Sequence, residues 1–286
     1  MRIFFKALSC AIICCATGNA LVLSGKSNSE NLSDPGTGVP FDAVASLRNS
    51  SGGIGGSGIH LGNGYILTAN HVGSLSNVTF DGTTFYTHDG ATPIQVATGV
   101  DMKVFHLTTV PPVSSVQIYA GTDELLNPAT IVAFGRGREG TGSSGTTVTW
   151  DINNGTVAKR WATNQPNATY PASSYNYDIL ATSLGSSEAA NEAGLVLYDS
   201  GSGLFQLISE TWYLSGLATA VTTGESSTFG METPLAPNQS RNGPIGDSNY
   251  FVRTSSYRTQ IASIIPEPQL CSILLVSGVF AFRRKR

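Results

Sequence analysis

The sequence predicts an all-β fold, on three observations. Short apolar runs recur from Phe41 onward, clusters of Gly, Ser, Asn and Asp separate them, and only residues 254–265 read as a globular helix. The runs cover residues 43–47, 58–61, 65–69, 78–80, 102–107, 115–119, 130–134, 147–150, 203–208 and 212–220. Gly62-Asn63-Gly64 between two of them signals a tight hairpin, because Asn and Gly tolerate the positive φ that such a turn needs. Many short strands at this spacing argue for a barrel or a sandwich. Residues 137–145 and 164–175 read as long surface loops, and no internal repeat has a fixed period.

Composition narrows the class. The chain has 286 residues, 41% hydrophobic and 12% charged, enough for one large or two small β-rich domains. Its net charge is −3 and no basic block is large enough to track phosphates, so nucleic acid is not an expected partner. The histidines are scattered and none pairs as His-x-x-x-His, so no metal site is expected. The Gly-rich stretches 51–58 and 135–145 lack the Gly-Lys-Ser/Thr ending of a phosphate loop.

The two ends read as address labels. Arg2 and Lys6, an apolar run over 7–16 and the small residues Gly18-Asn19-Ala20 make residues 1–20 a secretory signal peptide; a buried N-terminal helix is the alternative. Residues 21–38 are rich in Ser, Asn, Gly and Pro and read as a flexible leader. The folded domain then spans 39–265. All four cysteines (Cys10, Cys14, Cys15 and Cys271) lie outside it, so an exported domain without disulfides is expected to rest on its core and ladders. Residues 266–286 form a tail: Pro266-Glu267-Pro268, a short apolar run over 269–282, then Arg283-Arg284-Lys285-Arg286. The run is short for a membrane span, and the basic end should stay cytoplasmic.

The chemistry concentrates in three places. Tyr198-Asp199-Ser200-Gly201-Ser202-Gly203 presents a serine in a Gly-rich turn, and Thr68-Ala69-Asn70-His71 presents a histidine at the end of an apolar run. Asp101 opens Asp-Met-Lys-Val-Phe-His-Leu, an acid ahead of an alternating strand. A serine hydroxyl is a poor nucleophile unless a base takes its proton and an acid orients that base. These needs assign Ser200 as nucleophile, His71 as general base and then acid, and Asp101 as the orienting carboxylate. Asp123 and Asp81 are the runners-up for the acid, Ser202 is the decoy for the nucleophile, and Asp199 reads equally as a turn-stabilising carboxylate.

The His, Asp, Ser order and these contexts resemble the chymotrypsin/trypsin-like serine endopeptidases. Further landmarks follow in order. Gly55-Gly56-Ser57-Gly58 resembles the strand before the base, and Val132-Ala133-Phe134-Gly135-Arg136-Gly137 the segment opening the second barrel. Leu214-Ser215-Gly216-Leu217-Ala218 resembles the strand that pairs with substrate, and residues 251–257 the start of the C-terminal helix. The resemblance implies two antiparallel six-stranded β-barrels, over about 39–125 and 126–253, with the site between them. It implies an exported endopeptidase acting on a protein or peptide through an acyl-enzyme, without a cofactor. It implies an oxyanion hole from the backbone N–H groups of Tyr198, where the family normally carries glycine, and Ser200. Extended substrate would pair with the backbone of Ala218, Thr219 and Ala220, and Gly194 would stand where trypsins carry their specificity acid. Family members also pair a freshly cut N-terminal amine with the aspartate before the serine, for which Gly38-Val39-Pro40-Phe41 is the nearest equivalent. The alternative function is a surface protein with the same barrels but no catalysis, acting as a binding or scaffolding module. Finally, the tail resembles a PEP-CTERM sorting signal. That implies membrane insertion through the tail before an exosortase-like enzyme processes it, and a place in the cell envelope, at the surface or in the extracellular matrix of a Gram-negative bacterium.

Overall fold

The computed structural model describes residues 21–23, 31–73, 75–136, 140–141, 149–150, 157–183, 191–195, 198–221 and 248–266. The expected signal peptide, the sorting tail beyond Pro266 and nearly all of the loop expected at 137–145 lie outside these residues. The strands are β1 (Val22–Leu23), β2 (Val44–Arg48), β3 (Ile54–Gly62), β4 (Tyr65–Thr68), β5 (Asn77–Thr79), β6 (Phe85–Thr87), β7 (Ile94–Gln95), β8 (Lys103–His106), β9 (Gln117–Ile118), β10 (Ala129–Arg136), β11 (Gly140–Thr141), β12 (Thr149–Trp150), β13 (Val157–Asn164), β14 (Pro166–Tyr170), β15 (Ile179–Ser183), β16 (Ala193–Gly194), β17 (Gly203–Ile208), β18 (Thr211–Val221) and β19 (Ser248–Arg253).

Two antiparallel sheets carry the fold. The first runs β6-β5-β2-β3-β4-β8-β7. It curls until its far parts meet: Asp89 N–H donates to the His106 carbonyl (3.1 Å) and Thr108 N–H to the Thr87 carbonyl (3.0 Å). The second runs β13-β10-β17-β18-β19-β15-β14. Its edge strands β13 and β14 are consecutive and separated only by Gln165, so one line of backbone passes from one edge of the sheet to the other. Closing a sheet this way removes the exposed edges that would otherwise recruit other strands. The strand counts of seven and eight exceed the expected six because the two-residue strands β7 and β9 are appended and because the nearly continuous β13–β14 line counts once at each edge of the second sheet.

The period-two alternation of a strand explains the three cores. Along β10, Ala129, Ile131 and Ala133 point into the second barrel with Leu180, Leu204 and Phe251. The alternate residues Val132 and Phe134 point into the seam between the barrels. Likewise Ile66 of β4 fills the first barrel beside Leu47, Val78 and Phe105, and its neighbour Leu67 faces the seam. Strands buried on both faces lose the apolar/polar alternation, so they read as continuous apolar runs.

Some expectations need correction. The stretch 164–175, expected as a loop, contains β14 and the short helix α1 (Ala172–Tyr175). Pro and Asn make it look turn-like, but proline is tolerated at the first residue of a strand. The crossover between barrels also comes earlier than 125/126. β9 already pairs in parallel with β18, and buried Glu124 forms an ion pair with Arg253 at 2.6 Å, both within the second barrel. The leader is tied down rather than loose where it is described. Leu21 and Asn31 are fully buried, β1 pairs with β16, and Asn31 holds the Arg160 guanidinium at 2.9 Å. The C-terminal helix begins as a 3-10 turn (Thr254–Tyr257) and continues as α2 (Arg258–Ile264); Tyr257, Ile261 and Ile264 place one face against the seam.

Candidate functional site

The three residues singled out from sequence come together at the mouth of the seam. His71 follows β4 and Asp101 precedes β8, and β4 and β8 are neighbours in the first barrel. Ser200 comes from the turn before β17 of the second barrel. His71 Nε2 lies 2.7 Å from Ser200 Oγ, and His71 Nδ1 lies 2.7 Å from Asp101 Oδ2. The other Asp101 oxygen accepts the backbone N–H of His71 at 2.9 Å, so both oxygens fix the same residue. Asp123 bonds the Tyr119 hydroxyl and Asp81 caps its own turn, so neither runner-up reaches His71. Ser202 is fully buried, and its hydroxyl bonds the Asp199 carbonyl.

Asp101 is kept ionised against its surroundings. Burial pushes its carboxyl up, but hydrogen bonds from His71 and Thr219 and the His71 charge outweigh burial, and the net shift is downward. An ionised Asp101 bonded to Nδ1 makes that nitrogen the N–H of the ring. Nε2 then has a free lone pair aimed at the Ser200 hydroxyl.

Two residues that hold this arrangement were missed from sequence. The Lys103 ammonium donates to the carbonyls of Asn70 (3.0 Å) and Val72, the residues on either side of His71. Its spacing in β8 beside Asp101 was visible, but its target was not. Thr219, expected only as backbone for substrate, donates its hydroxyl to Asp101 Oδ2. It sits at the bulge between Ala218 and Ala220, which turns its side chain toward the site.

The serine turn is pinned from four sides. Ser57 N–H donates to the Ser200 carbonyl (2.8 Å), and Ser57 Oγ accepts Phe134 N–H (2.9 Å), so this first-barrel serine ties the turn to β10. Gly201 N–H donates to the Ala218 carbonyl (2.8 Å), and Ser202 N–H to the Asp199 carbonyl (2.9 Å). Gly201 has φ +83°, and a Cβ there would stand 2.1 Å from the Ser57 carbonyl oxygen, so no other residue fits. The fourth restraint is Asp199, 1% exposed, whose carboxylate accepts the backbone N–H of Leu21 at 3.3 Å. The donor here is Leu21, the first residue after the expected signal, and not the Gly38-Val39-Pro40-Phe41 stretch named from sequence.

The remaining expected residues divide. Tyr198 adopts φ +78°, the angle for which glycine would be favoured. Neither its N–H nor that of Ser200 bonds to another described residue. Ala218 is not available to substrate: it is 1% exposed, its N–H donates to the Ser202 carbonyl, and its own carbonyl is taken by Gly201. Past Ala218, no described residue pairs with β18 on its β17 side, where Ala220 and Val221 lie. Gly194 is buried in the ladder opposite Val22. Among the described residues, no group of three His, Cys, Asp or Glu could hold a metal, and no helix is long and apolar enough to cross a membrane.

The paired barrels with a site at their seam define a chymotrypsin-like fold. Human heparin binding protein is a solved structure of similar shape, with a TM-score of 0.53 at 13% identity over 86% of this chain and 99% of that one. No family model and no curated protein matches the sequence.

Proposed function

We propose that this protein is an exported serine endopeptidase. The observation that carries this reading is the relay Ser200–His71–Asp101, with 2.7 Å at each step and the acid and base drawn from one barrel, the nucleophile from the other. In the proposed reaction the Ser200 hydroxyl attacks a peptide carbonyl while its proton passes to His71 Nε2. Asp101 holds the ring and offsets the imidazolium charge. His71 then gives the proton to the leaving amine, and water, activated by the same ring, releases the acyl group. The N–H groups of Tyr198 and Ser200 would receive the oxyanion. Extended substrate would add to the β17 side of β18 at Ala220 and Val221.

The contact between Leu21 and Asp199 supports a maturation step within this reading. Signal cleavage after Ala20 would leave Leu21 with a free α-amine beside a buried carboxylate, where an ion pair holds the serine turn. The tail would retain the chain at the membrane until an exosortase-like enzyme removes it.

The test is labelling with a serine-directed fluorophosphonate, read by mass spectrometry. Modification of Ser200 that disappears in His71→Ala supports a working nucleophile and base, and Ser200→Ala should then abolish hydrolysis of a peptide library. No labelling of folded, leader-cleaved protein would overturn the endopeptidase and favour the binding module.

A further inference from the structure

We infer that Tyr177 is a positioning residue for this site, one step beyond Thr219. The inference rests on the endopeptidase reading. The Tyr177 hydroxyl lies 3.1 Å from Thr219 Oγ1. Proton bookkeeping fixes the direction of that bond. An ionised carboxylate only accepts, so the single Thr219 proton is committed to Asp101. Tyr177 must therefore donate to Thr219. The result is a directed set of bonds that converges on Asp101: Tyr177 O–H donates to Thr219, Thr219 O–H donates to Asp101 Oδ2, and the His71 Nδ1–H donates to the same oxygen.

A threonine hydroxyl alone rotates among its wells, and only one of them points the proton at Asp101. A donor arriving at its lone pair selects that well and polarises the O–H toward the acid. Tyr177 is well placed for this, because its own backbone is held on both sides. α1 ends at Asn176, whose φ of +69° turns the chain toward the seam. The next residue, Asp178, donates its N–H to the Tyr257 hydroxyl (3.0 Å), accepts Arg253 N–H at its carbonyl (2.9 Å) and accepts Ala172 N–H at its carboxylate (2.8 Å). The Tyr177 ring packs against the seam core. Burial pushes its phenol above the ordinary range and the Asp101 charge adds to this, so the proton needed for donation stays on the ring. No sequence pattern announces this role, since Tyr177 and Thr219 are 42 residues apart.

The test is a double-mutant cycle in the full-length exported chain, read as the second-order rate of fluorophosphonate modification of Ser200 and as kcat and KM on a peptide. Tyr177→Phe keeps the ring and removes only the hydroxyl. The expected loss in labelling rate and kcat is on the order of 3- to 10-fold with KM unchanged, the range for one hydrogen bond. Thr219→Val should lose at least as much, and adding Tyr177→Phe to it should cost nothing more, because Tyr177 acts only through Thr219. A wild-type rate in Tyr177→Phe, a loss confined to KM, or two losses that multiply would each overturn the assignment. A wild-type chain that does not label would instead overturn the endopeptidase reading beneath it.

Discussion

Shortening one side chain at Leu21 should lower reactivity at Ser200, although neither atom touches the other. Leu21 is fully buried among Ala129, Ile131, Leu180, Leu204 and Phe251. Leu21→Ala removes that anchor and leaves a cavity, at a cost of about 3 kcal/mol for a buried leucine. Beside it, β1 contributes a two-residue ladder to β16. The cost therefore falls on docking of the N-terminus rather than on the whole fold. About 3 kcal/mol corresponds to roughly a hundredfold shift in the docked fraction. When the segment leaves, the buried Asp199 carboxylate loses the Leu21 N–H, one of the restraints on the serine turn. The turn carrying Tyr198 and Ser200 should then rearrange. The assay compares fluorophosphonate labelling rates of the leader-cleaved wild type and variant with hydrogen exchange at Val22, Leu23, Ala193 and Gly194. The expected result is faster exchange at those amides together with a labelling rate lowered by up to roughly a hundredfold. Exchange that accelerates while labelling stays at the wild-type rate would refute the coupling.

Three more outcomes are expected. Tyr198→Gly relieves a left-handed φ that costs about 1 kcal/mol for a residue with a Cβ, so urea unfolding should show a gain of that size while Ser200 still labels. Lys103→Met removes both clamps on the His71 turn, and kcat should fall on the order of tenfold or more with the melting temperature little changed, since the group is only partly buried. Lys159 gives the pH dependence: desolvation lowers its ammonium to about 8, so the native state sheds this proton before the unfolded state does. Its contribution to stability is present above its unfolded value near 10.5 and is lost as pH falls through about 8. Wild type should therefore gain stability relative to Lys159→Met as pH rises from about 8 toward 10.5, measured by urea unfolding across that range.

The two catalytic candidates nearest their motifs were legible because each signal is local. Thr68-Ala69-Asn70-His71 and Asp199-Ser200-Gly201 carry the strand end and the turn within four residues. Asp101 was legible for the same reason, as an acid at a strand start. The residues that hold them in place were not. Leu21, Lys103 and Thr219 act across 178, 31 to 33, and 118 residues, distances over which nothing in the chain advertises a partner. Strands β13 and β14 were hidden for a different reason. Asn167 and Thr169 of β14 are exposed and polar, Pro166 opens that strand, and Arg160, satisfied by Asn31 of the leader, puts a charge in the buried pattern of β13. Whether Ala218 faces substrate was beyond sequence because it depends on a bulge one residue later.

The Ser57 bridge bears on timing. Its N–H meets the Ser200 carbonyl and its Oγ meets the Phe134 N–H, so a residue of the first barrel holds parts of the second that are made 77 and 143 residues later. Until the second barrel docks, the serine turn has no frame, and until Leu21 returns from the start of the chain the turn lacks its last restraint. An unfinished chain meets neither condition, so in the proposed endopeptidase reactivity is deferred to the moment assembly ends.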